Sequence, residues 1–235
     1  CRTRRVPRQP AQNRPRDILE RGVWTSLFLE RKLKPSIARN PHAKSKKELR
    51  ATLLKARLDA AREPAHALAL KRQVLWTLER YAPACVGFYW PLAGEFDARE
   101  AIAEWLAADA KREAGLPVIH SVGSPLAFHA WTPDTAMKTG HHRIPEPESG
   151  RNVTPDLLLI PCVGFDEDAF RLGYGGGYYD RTLATWPGAD AARPVTVGVA
   201  YEACRTDAIP REAHDIPLDA VITERARYPA RTAAG

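Results

Sequence analysis

The stretch DLLLIPCVGFDEDAFRLGYGGGYYDR, residues 156–181, carries the clearest fold signal in this chain of 235 residues. Its first six residues, 156–161, form a continuous apolar run, which is typical of a strand buried on both faces of a parallel sheet. Residues 178–186, YYDRTLATW, have the spacing of a helix. Between them, four glycines fall within five positions, 173–177. The order strand, glycine segment, helix predicts an α/β layer architecture.

The same alternation extends in both directions from this stretch. Residues 45–63 predict a helix, with Leu49, Leu53, Ala56 and Ala60 at helical spacing. Further helices are predicted over 66–81 and over 96–115, the latter ending at Gly115. Strands are predicted over 85–90, 116–120, 126–131, 195–200 and 220–223, and a loop over 132–155. We therefore expect a three-layer α/β fold, with a mainly parallel central sheet flanked by helices, in a single domain over residues 44–230.

The net charge of +7 comes mostly from the N-terminal end of the chain. Residues 1–43 are rich in Arg and Pro and lack sustained periodicity, so we expect a basic, disordered extension. A basic tail could contact RNA through phosphate charge. However, aromatic residues of the RNA-stacking type are not interleaved with the basic ones. We therefore expect no nucleic-acid partner as the principal one.

The four cysteines, at positions 1, 85, 162 and 204, are few and widely spaced. They form no CxxC pair and no zinc-ligand pattern, which favours a reducing, cytoplasmic setting. Cys85 and Cys162 fall in apolar runs and are expected to be buried thiols. No apolar run approaches the roughly 18 residues that a membrane span needs, so we expect no membrane partner.

Two interpretations of the glycine segment remain open on composition alone. It is either a tight turn that needs positive φ or a loop whose backbone N–H groups approach an anion. It matches neither the dinucleotide fingerprint nor the phosphate-binding loop that ends in Gly-Lys-Ser/Thr. Asp180 is then either a ligand of a divalent metal or a carboxylate at a helix start. Arg171 and Arg181 either bind phosphate or are solvated.

The residues in IPCVGFDEDAFRLGYGGGYYDR, 160–181, resemble the signature of the 5-formyltetrahydrofolate cyclo-ligase family, also called 5,10-methenyltetrahydrofolate synthetases. The resemblance extends over roughly residues 45–228. It includes KKELR at 46–50, EFDAREAI at 95–102, RIPEP at 143–147 and HDIPLDAVIT at 214–223. Residues 1–43 lie outside it.

The resemblance implies an ATP- and Mg²⁺-dependent enzyme. It would convert 5-formyltetrahydrofolate to 5,10-methenyltetrahydrofolate and release ADP and phosphate. In the family's scheme, the formyl oxygen is phosphorylated, N10 of the folate attacks the activated carbon, and phosphate leaves. The partner is then a small-molecule folate, and we expect a monomer.

The resemblance also implies roles for individual residues. Lys46 and Arg50 would contact ATP, and being four apart they share one face of a helix. Asp180 and Asp215 would hold Mg²⁺. The nucleotide would also contact all residues from position 171 to 179, namely Arg171, Leu172, Gly173, Tyr174, Gly175, Gly176, Gly177, Tyr178 and Tyr179.

Folate contacts are implied for Trp90, for Glu95 and for the stretch Tyr174, Gly175, Gly176, Gly177 and Tyr178. Glu95 is a carboxylate acceptor suited to pterin N–H groups, and Tyr178 is a flat ring that can stack. The implied catalytic groups are Arg171 and Tyr178. On residue type alone, Trp90 is equally a core aromatic, Lys46 and Arg50 an exposed basic face, and Asp215 a turn residue.

Two positions depart from the family's pattern. Some members carry Lys in the glycine segment, where this chain has Gly176, so a cation must come from Lys46, Arg50, Arg171 or the metal. Some carry Trp before the Ile-Pro of the RIPEP region, where this chain has His142 and Arg143. His142 is either an acid–base group or an exposed loop histidine. The departures keep open a folate-binding protein, or a ligase acting on another small substrate.

Overall fold

The computed structural model describes residues 45–186 and 193–229, which belong to one compact unit spanning residues 41–233. The predicted disordered extension, residues 1–43, lies outside the described residues, so its disorder and its boundary stay predictions. In the described part of the chain, the fold is the predicted α/β type.

The described residues form four α-helices and two short 3₁₀ turns. The helices are α1 (Lys46–Ala60), α2 (Pro64–Tyr81), α3 (Arg99–Ala107) and α4 (Tyr178–Ala184). The 3₁₀ turns are His141–Arg143 and Glu202–Cys204. Helix α1 begins with a capping box, in which Ser45 and Glu48 each accept the other's backbone N–H.

The described strands fall into one large sheet and two small hairpins. The large sheet contains β1 (Cys85–Gly87), β2 (Glu113–Val118), β3 (Ala127–Ala130), β6 (Asn152–Val153), β7 (Leu157–Pro161), β10 (Val195–Val199), β11 (Ala220–Ile222) and β12 (Arg227–Pro229). One hairpin pairs β4 (Met137–Thr139) with β5 (Pro145–Pro147). The other pairs β8 (Gly164–Phe165) with β9 (Arg171–Leu172).

The strand order in the large sheet is β12-β11-β10-β7-β1-β2-β3-β6. The five middle strands, from β11 to β2, are mutually parallel. The edge strands β12, β3 and β6 pair antiparallel. The apolar run at 157–160 therefore occupies the centre of the parallel region, as predicted, because it is flanked by two strands and buried on both faces.

Alternate residues of β7 point into two separate cores. Leu157 and Leu159 pack with α2 and α3 on one face of the sheet. Leu158 and Ile160 pack with Leu183 of α4 on the other face. Helices thus cover the sheet on both sides, in agreement with the predicted layers. Cys85, Cys162 and Cys204 are buried free thiols.

The structure corrects the predicted helix over residues 96–115. The helix stops at Ala107, and Gly115 is a residue of strand β2 that pairs with Ala130. A Cβ on Gly115 would stand 2.6 Å from Val153 Cγ2, so its glycine serves close packing between strands. It does not terminate a helix.

Two other predictions were incomplete. The predicted loop over 132–155 contains three short strands, β4, β5 and β6, besides a 3₁₀ turn. The predicted last strand, 220–223, is followed by β12. These strands have only two or three residues each, which is too short for alternation to be visible in the sequence. No helix in the described ranges combines the length and the apolar character of a membrane-spanning segment.

The packing at Gly115 generates a stability prediction. Gly115→Ala should destabilise the fold by about 1–3 kcal/mol through overpacking against Val153. Val153→Ala removes the opposing methyl groups and should by itself also destabilise the fold. We expect the double variant to be more stable than the sum of the two effects by at least about 0.5 kcal/mol, measured by urea unfolding. Strict additivity would contradict this packing.

Candidate active site

The glycine segment, residues 173–177, connects strand β9 to helix α4. Gly175 and Gly177 have positive φ angles, 97° and 66°, and Gly177 is the N-cap of α4. A side chain at either position would be strained. A Cβ on Gly173 would instead have no heavy atom within 4 Å. The interpretation as a tight turn therefore explains the glycines at positions 175 and 177. Close packing does not explain the glycine at position 173.

Helix α1 directs two predicted cations towards this segment. The Arg50 Nε donates to the Gly173 carbonyl at 2.7 Å, and its guanidinium lies 3.4 Å from where a Cβ of Gly175 would stand. Lys46 Nζ lies 2.8 Å from Asp215 Oδ2 and 3.3 Å from Glu212 Oε1. One turn of α1 therefore contacts both the glycine segment, through Arg50, and the 212–215 turn, through Lys46. The interpretation of these two cations as an exposed basic face is wrong.

Arg171 and Asp180 form a second ion pair at the base of the segment. Arg171 Nη2 donates to Asp180 Oδ1 at 2.7 Å, and its Nη1 donates to the Ile216 carbonyl at 2.9 Å. The Arg171 side chain is only 5% exposed, so it is a buried partner of Asp180 and not a solvated arginine. The Ile216 N–H lies 3.4 Å from Asp180 Oδ1. These contacts place Asp180 against the segment that carries Asp215.

The two aspartates have the donor chemistry that Mg²⁺ requires, namely carboxylate oxygens next to a loop with exposed backbone. In the described residues, no group of three or more His, Cys, Asp and Glu side chains is arranged to hold a metal ion. A cation here would therefore have only these two protein ligands, and Mg²⁺ commonly completes such a set with water and phosphate oxygens. The residues fit that role, and each carboxylate is meanwhile neutralised by Lys46 or Arg171.

A buried polar network joins helix α1, the loop before α3 and the glycine segment. Arg57 Nη1 lies 3.2 Å from Glu95 Oε1, and Arg57 Nη2 donates to the Tyr174 hydroxyl at 2.5 Å. The Tyr174 hydroxyl donates in turn to Glu95 Oε1 at 3.0 Å. The side chains of Arg57 and Glu95 are 3% and 4% exposed. Burial and the neighbouring Glu95 raise the pKa of Tyr174 to about 12, so the phenol stays protonated at neutral pH.

Arg57 and Glu95 of this network line a small pocket. The walls of this pocket include Arg57 and Glu95 together with Tyr89, Phe96, Cys162, Val199, Ala200 and Tyr201. Arg57 Nε is buried there and has no hydrogen-bond partner among the described residues. Glu95, the predicted folate acceptor, is therefore held on a partly polar wall with its orientation fixed from within the protein.

Tyr178 and His142 meet at the other side of the segment. The Tyr178 hydroxyl and His142 Nε2 are 3.1 Å apart, and their rings are in an edge-to-face arrangement. His142 and Arg143 both have positive φ, 55° and 58°, a strained conformation for residues that carry a Cβ. This contact brings the RIPEP region to the start of α4.

Not every predicted residue takes part in these contacts. The Leu172 side chain is buried in the core with Leu49 and Leu53, so it can offer a ligand only its backbone. Tyr179 packs against the second core, and its hydroxyl is buried without a partner in the described part of the chain. Trp90 packs against the first core, with the Arg99 guanidinium 4.2 Å from its ring centre.

Sequence reasoning missed Arg57, and it left Arg181 open as either a phosphate contact or a solvated arginine. Arg57 lies on the buried face of α1 with Leu53 and Ala60, and its spacing from them was the available signal. Arg181 donates to the Gly176 carbonyl at 2.6 Å and covers the Tyr178 ring at 5.0 Å. Gly176 therefore has a guanidinium beside its carbonyl oxygen.

Comparison with known proteins identifies the relatives of this chain. The model of the 5-formyltetrahydrofolate cyclo-ligase family matches residues 42–224. A 5-formyltetrahydrofolate cyclo-ligase of Haemophilus influenzae is 31% identical over 172 residues, 70% of this chain and 89% of the relative. That of Escherichia coli K12 is 38% identical over 138 residues, 55% of this chain and 72% of the relative.

Solved structures agree with these matches. The 5,10-methenyltetrahydrofolate synthetase of Aquifex aeolicus superposes with a TM-score of 0.65 at 29% identity, covering 81% of this chain and 95% of that one. A synthetase from Mycoplasma pneumoniae, at 22% identity and a TM-score of 0.61, shares the fold over 77% of this chain and 99% of its own. The family model, the sequence relatives and the fold agree with the resemblance: this chain belongs to the 5-formyltetrahydrofolate cyclo-ligase family of enzymes.

Proposed function

We propose that this protein catalyses the ATP- and Mg²⁺-dependent conversion of 5-formyltetrahydrofolate to 5,10-methenyltetrahydrofolate, releasing ADP and phosphate. The observation that carries the proposal is the meeting of Lys46, Arg50, Arg171 and two aspartates around a glycine segment, in a chain of this family. The arrangement provides cations and exposed backbone beside a buried carboxylate that suits a pterin.

The chemistry explains why such a site is needed. The formyl oxygen of an amide-like group is a poor leaving group until it is phosphorylated. Phosphoryl transfer then depends on positioning and on neutralising charge. After transfer, N10 attacks the formyl carbon, and the former formyl oxygen departs as part of phosphate. The protein must therefore hold two substrates close together and exclude water from the activated carbon.

At the nucleotide end, Lys46, Arg50 and the backbone of residues 173–177 would bind phosphate oxygens. Lys46 and Arg50 project from the same face of α1, and the 2.7 Å bond of Arg50 to Gly173 holds the segment against that helix. Lys46 would exchange Asp215 for phosphate when a nucleotide enters. Arg181, beside Gly176, supplies a cation where some relatives carry Lys.

Asp180 and Asp215 would hold Mg²⁺, which neutralises phosphate charge when bound. Arg171 is a positioning group in this proposal, because it fixes Asp180 and the Ile216 carbonyl together. Because the Arg171 side chain is deeply buried, it has little freedom to reach a ligand. We therefore propose that Arg171 positions the metal ligands and does not itself act as the predicted catalytic residue.

At the folate end, Glu95 would accept hydrogen bonds from the pterin, and Tyr178 would stack on a flat part of the substrate. His142 bonds the Tyr178 hydroxyl and would set the orientation of its ring. Trp90 would contribute through packing behind Glu95, since it lies against the core on the same loop. We propose further that the protein works as a monomer in the reducing cytoplasm, consistent with its three buried free thiols.

An assay for the methenyl chromophore tests the reaction and the metal together. Wild-type protein with 5-formyltetrahydrofolate should form product only when ATP and Mg²⁺ are present. Asp180→Asn should lower kcat/KM by about a hundredfold or more, because a metal contributes several kcal/mol of charge stabilisation. Raising the Mg²⁺ concentration should recover part of this loss.

Asp168→Asn is the matched control for that experiment, because Asp168 is a partly exposed carboxylate that, like Asp180, is paired with an arginine. It should keep the wild-type rate. Equal rates for wild type and Asp180→Asn would remove Asp180 from the metal site while retaining the reaction. Folate binding without turnover in a well-folded wild-type protein would favour the alternative of a folate-binding protein, or of a ligase for another substrate.

Glu95→Gln tests the folate end of the site. Loss of a carboxylate acceptor should raise KM for 5-formyltetrahydrofolate by roughly tenfold or more, because hydrogen bonds to charged groups contribute about 1.5–3 kcal/mol. The KM for ATP should rise clearly less than the KM for the folate, because the amide oxygen of the Glu95→Gln variant can still accept from Arg57 and hold α1 in place. Glu100→Gln, at a carboxylate that is 80% exposed, should change neither constant. Parallel increases in both KM values for Glu95→Gln would indicate a general loss of structure instead.

A further inference from the structure

The hydrogen bonds of Glu95 leave it no unoccupied oxygen in this structure. Oε2 accepts the Leu92 backbone N–H at 2.8 Å. Oε1 accepts Arg57 at 3.2 Å and the Tyr174 hydroxyl at 3.0 Å. The carboxylate has about four acceptor positions, and these donors occupy three of them. The Glu95 side chain is only 4% exposed, so a substrate N–H group reaches it only if a donor that covers it moves away.

Two of the donors are fixed in place. Leu92 donates through its backbone, and Arg57 is a buried residue of α1 that also donates to the Ala93 carbonyl at 2.9 Å. Removing Arg57 from Glu95 would leave a buried charge without compensation, which is costly. Neither donor can leave without disturbing the fold.

Tyr174 differs from the other donors in its exposure and in the two glycines that flank it. The residue is 49% exposed even though its hydroxyl reaches a buried carboxylate. It lies between Gly173 and Gly175, of which Gly175 has a φ of 97° and Gly173 has open space around it. Glycines on both sides give this residue the backbone freedom to swing outward.

We propose that Tyr174 is an internal competitor of the substrate: its hydroxyl occupies, in the free protein, the hydrogen-bond position on Glu95 that the pterin N–H donor takes. Arg57 is the positioning residue that holds the carboxylate for either occupant. This inference rests on the proposed function, since it assumes that Glu95 receives the folate.

The phenol is suited to this substitution. Its pKa, raised to about 12 by burial and by Glu95, keeps it a donor at neutral pH, as a pterin N–H is. When the substrate binds, a neutral pterin N–H donor replaces the neutral Tyr174 hydroxyl on Glu95. The free energy of the lost Tyr174 contact therefore lowers the net affinity for the substrate. Tyr174 is part of the glycine segment. Its release on folate binding therefore changes the conformation of the loop that would receive the nucleotide.

Calorimetric titration with 5-formyltetrahydrofolate, without ATP, tests the competition. Tyr174→Phe removes the hydroxyl and keeps the ring, and it leaves Glu95 with Arg57 and Leu92 as partners. We expect it to bind the folate roughly ten- to a hundredfold more tightly than wild type, the value of one hydrogen bond to a charged group. Tyr81→Phe, at a half-exposed tyrosine at the end of α2, should bind as wild type does.

The dependence on Glu95 provides the second measurement. In a Glu95→Gln background, the gain from Tyr174→Phe should be at least about threefold smaller, because the amide oxygen is a neutral and weaker acceptor for the two competing donors. Tyr174→Leu repeats the test should the Phe variant fold poorly, and we expect the same direction.

The outcomes separate the two proposals. Wild-type protein that binds the folate, with Tyr174→Phe and Tyr174→Leu binding equally or more weakly, would overturn the competition and leave the proposed function standing. An unchanged gain in the Glu95→Gln background would also overturn it. Wild-type protein that neither binds nor converts 5-formyltetrahydrofolate would overturn the proposed function itself.

Discussion

The buried ion pair between Arg57 and Glu95 is the constraint on which the site depends. Two charges taken out of water are stable only when they are paired and hydrogen-bonded, and removing one partner typically costs about 3–5 kcal/mol. The pair therefore fixes α1 against the loop that precedes α3. Lys46 and Arg50 stand on the same helix, so their positions beside the glycine segment follow from the placement of α1.

The sheet supplies the other half of the geometry. Strand β7 fills both cores with alternate residues, and the chain after it runs through a short hairpin into the glycine segment. Asp166 stabilises the turn of that hairpin by accepting the backbone N–H groups of Asp168, Phe170 and Ile209. A flexible glycine run is thus held between a rigid hairpin and α4, which limits its freedom to the few residues that ligands would contact.

Sequence reasoning found the elements whose signal is local. The apolar run at 157–160 and the spacing of Leu49, Leu53 and Ala60 gave β7 and α1 correctly. Gly115 was misassigned, because a glycine needed for contact with Val153 and one that ends a helix look alike in sequence. Arg57 was missed for a similar reason: periodicity places it on a buried face, but its partners Glu95 and Tyr174 lie 38 and 117 residues away.

The ion pair of Lys46 with Asp215 spans 169 residues of the chain. Closing so long a loop costs conformational entropy that the contact must offset. An N-terminal fragment that contains α1, and even the glycine segment, lacks Asp215 and so lacks one of the two carboxylates proposed to hold Mg²⁺. The site is therefore complete only after nearly all of the described chain has been synthesised and folded. Activity at this site would then show that the whole domain has assembled.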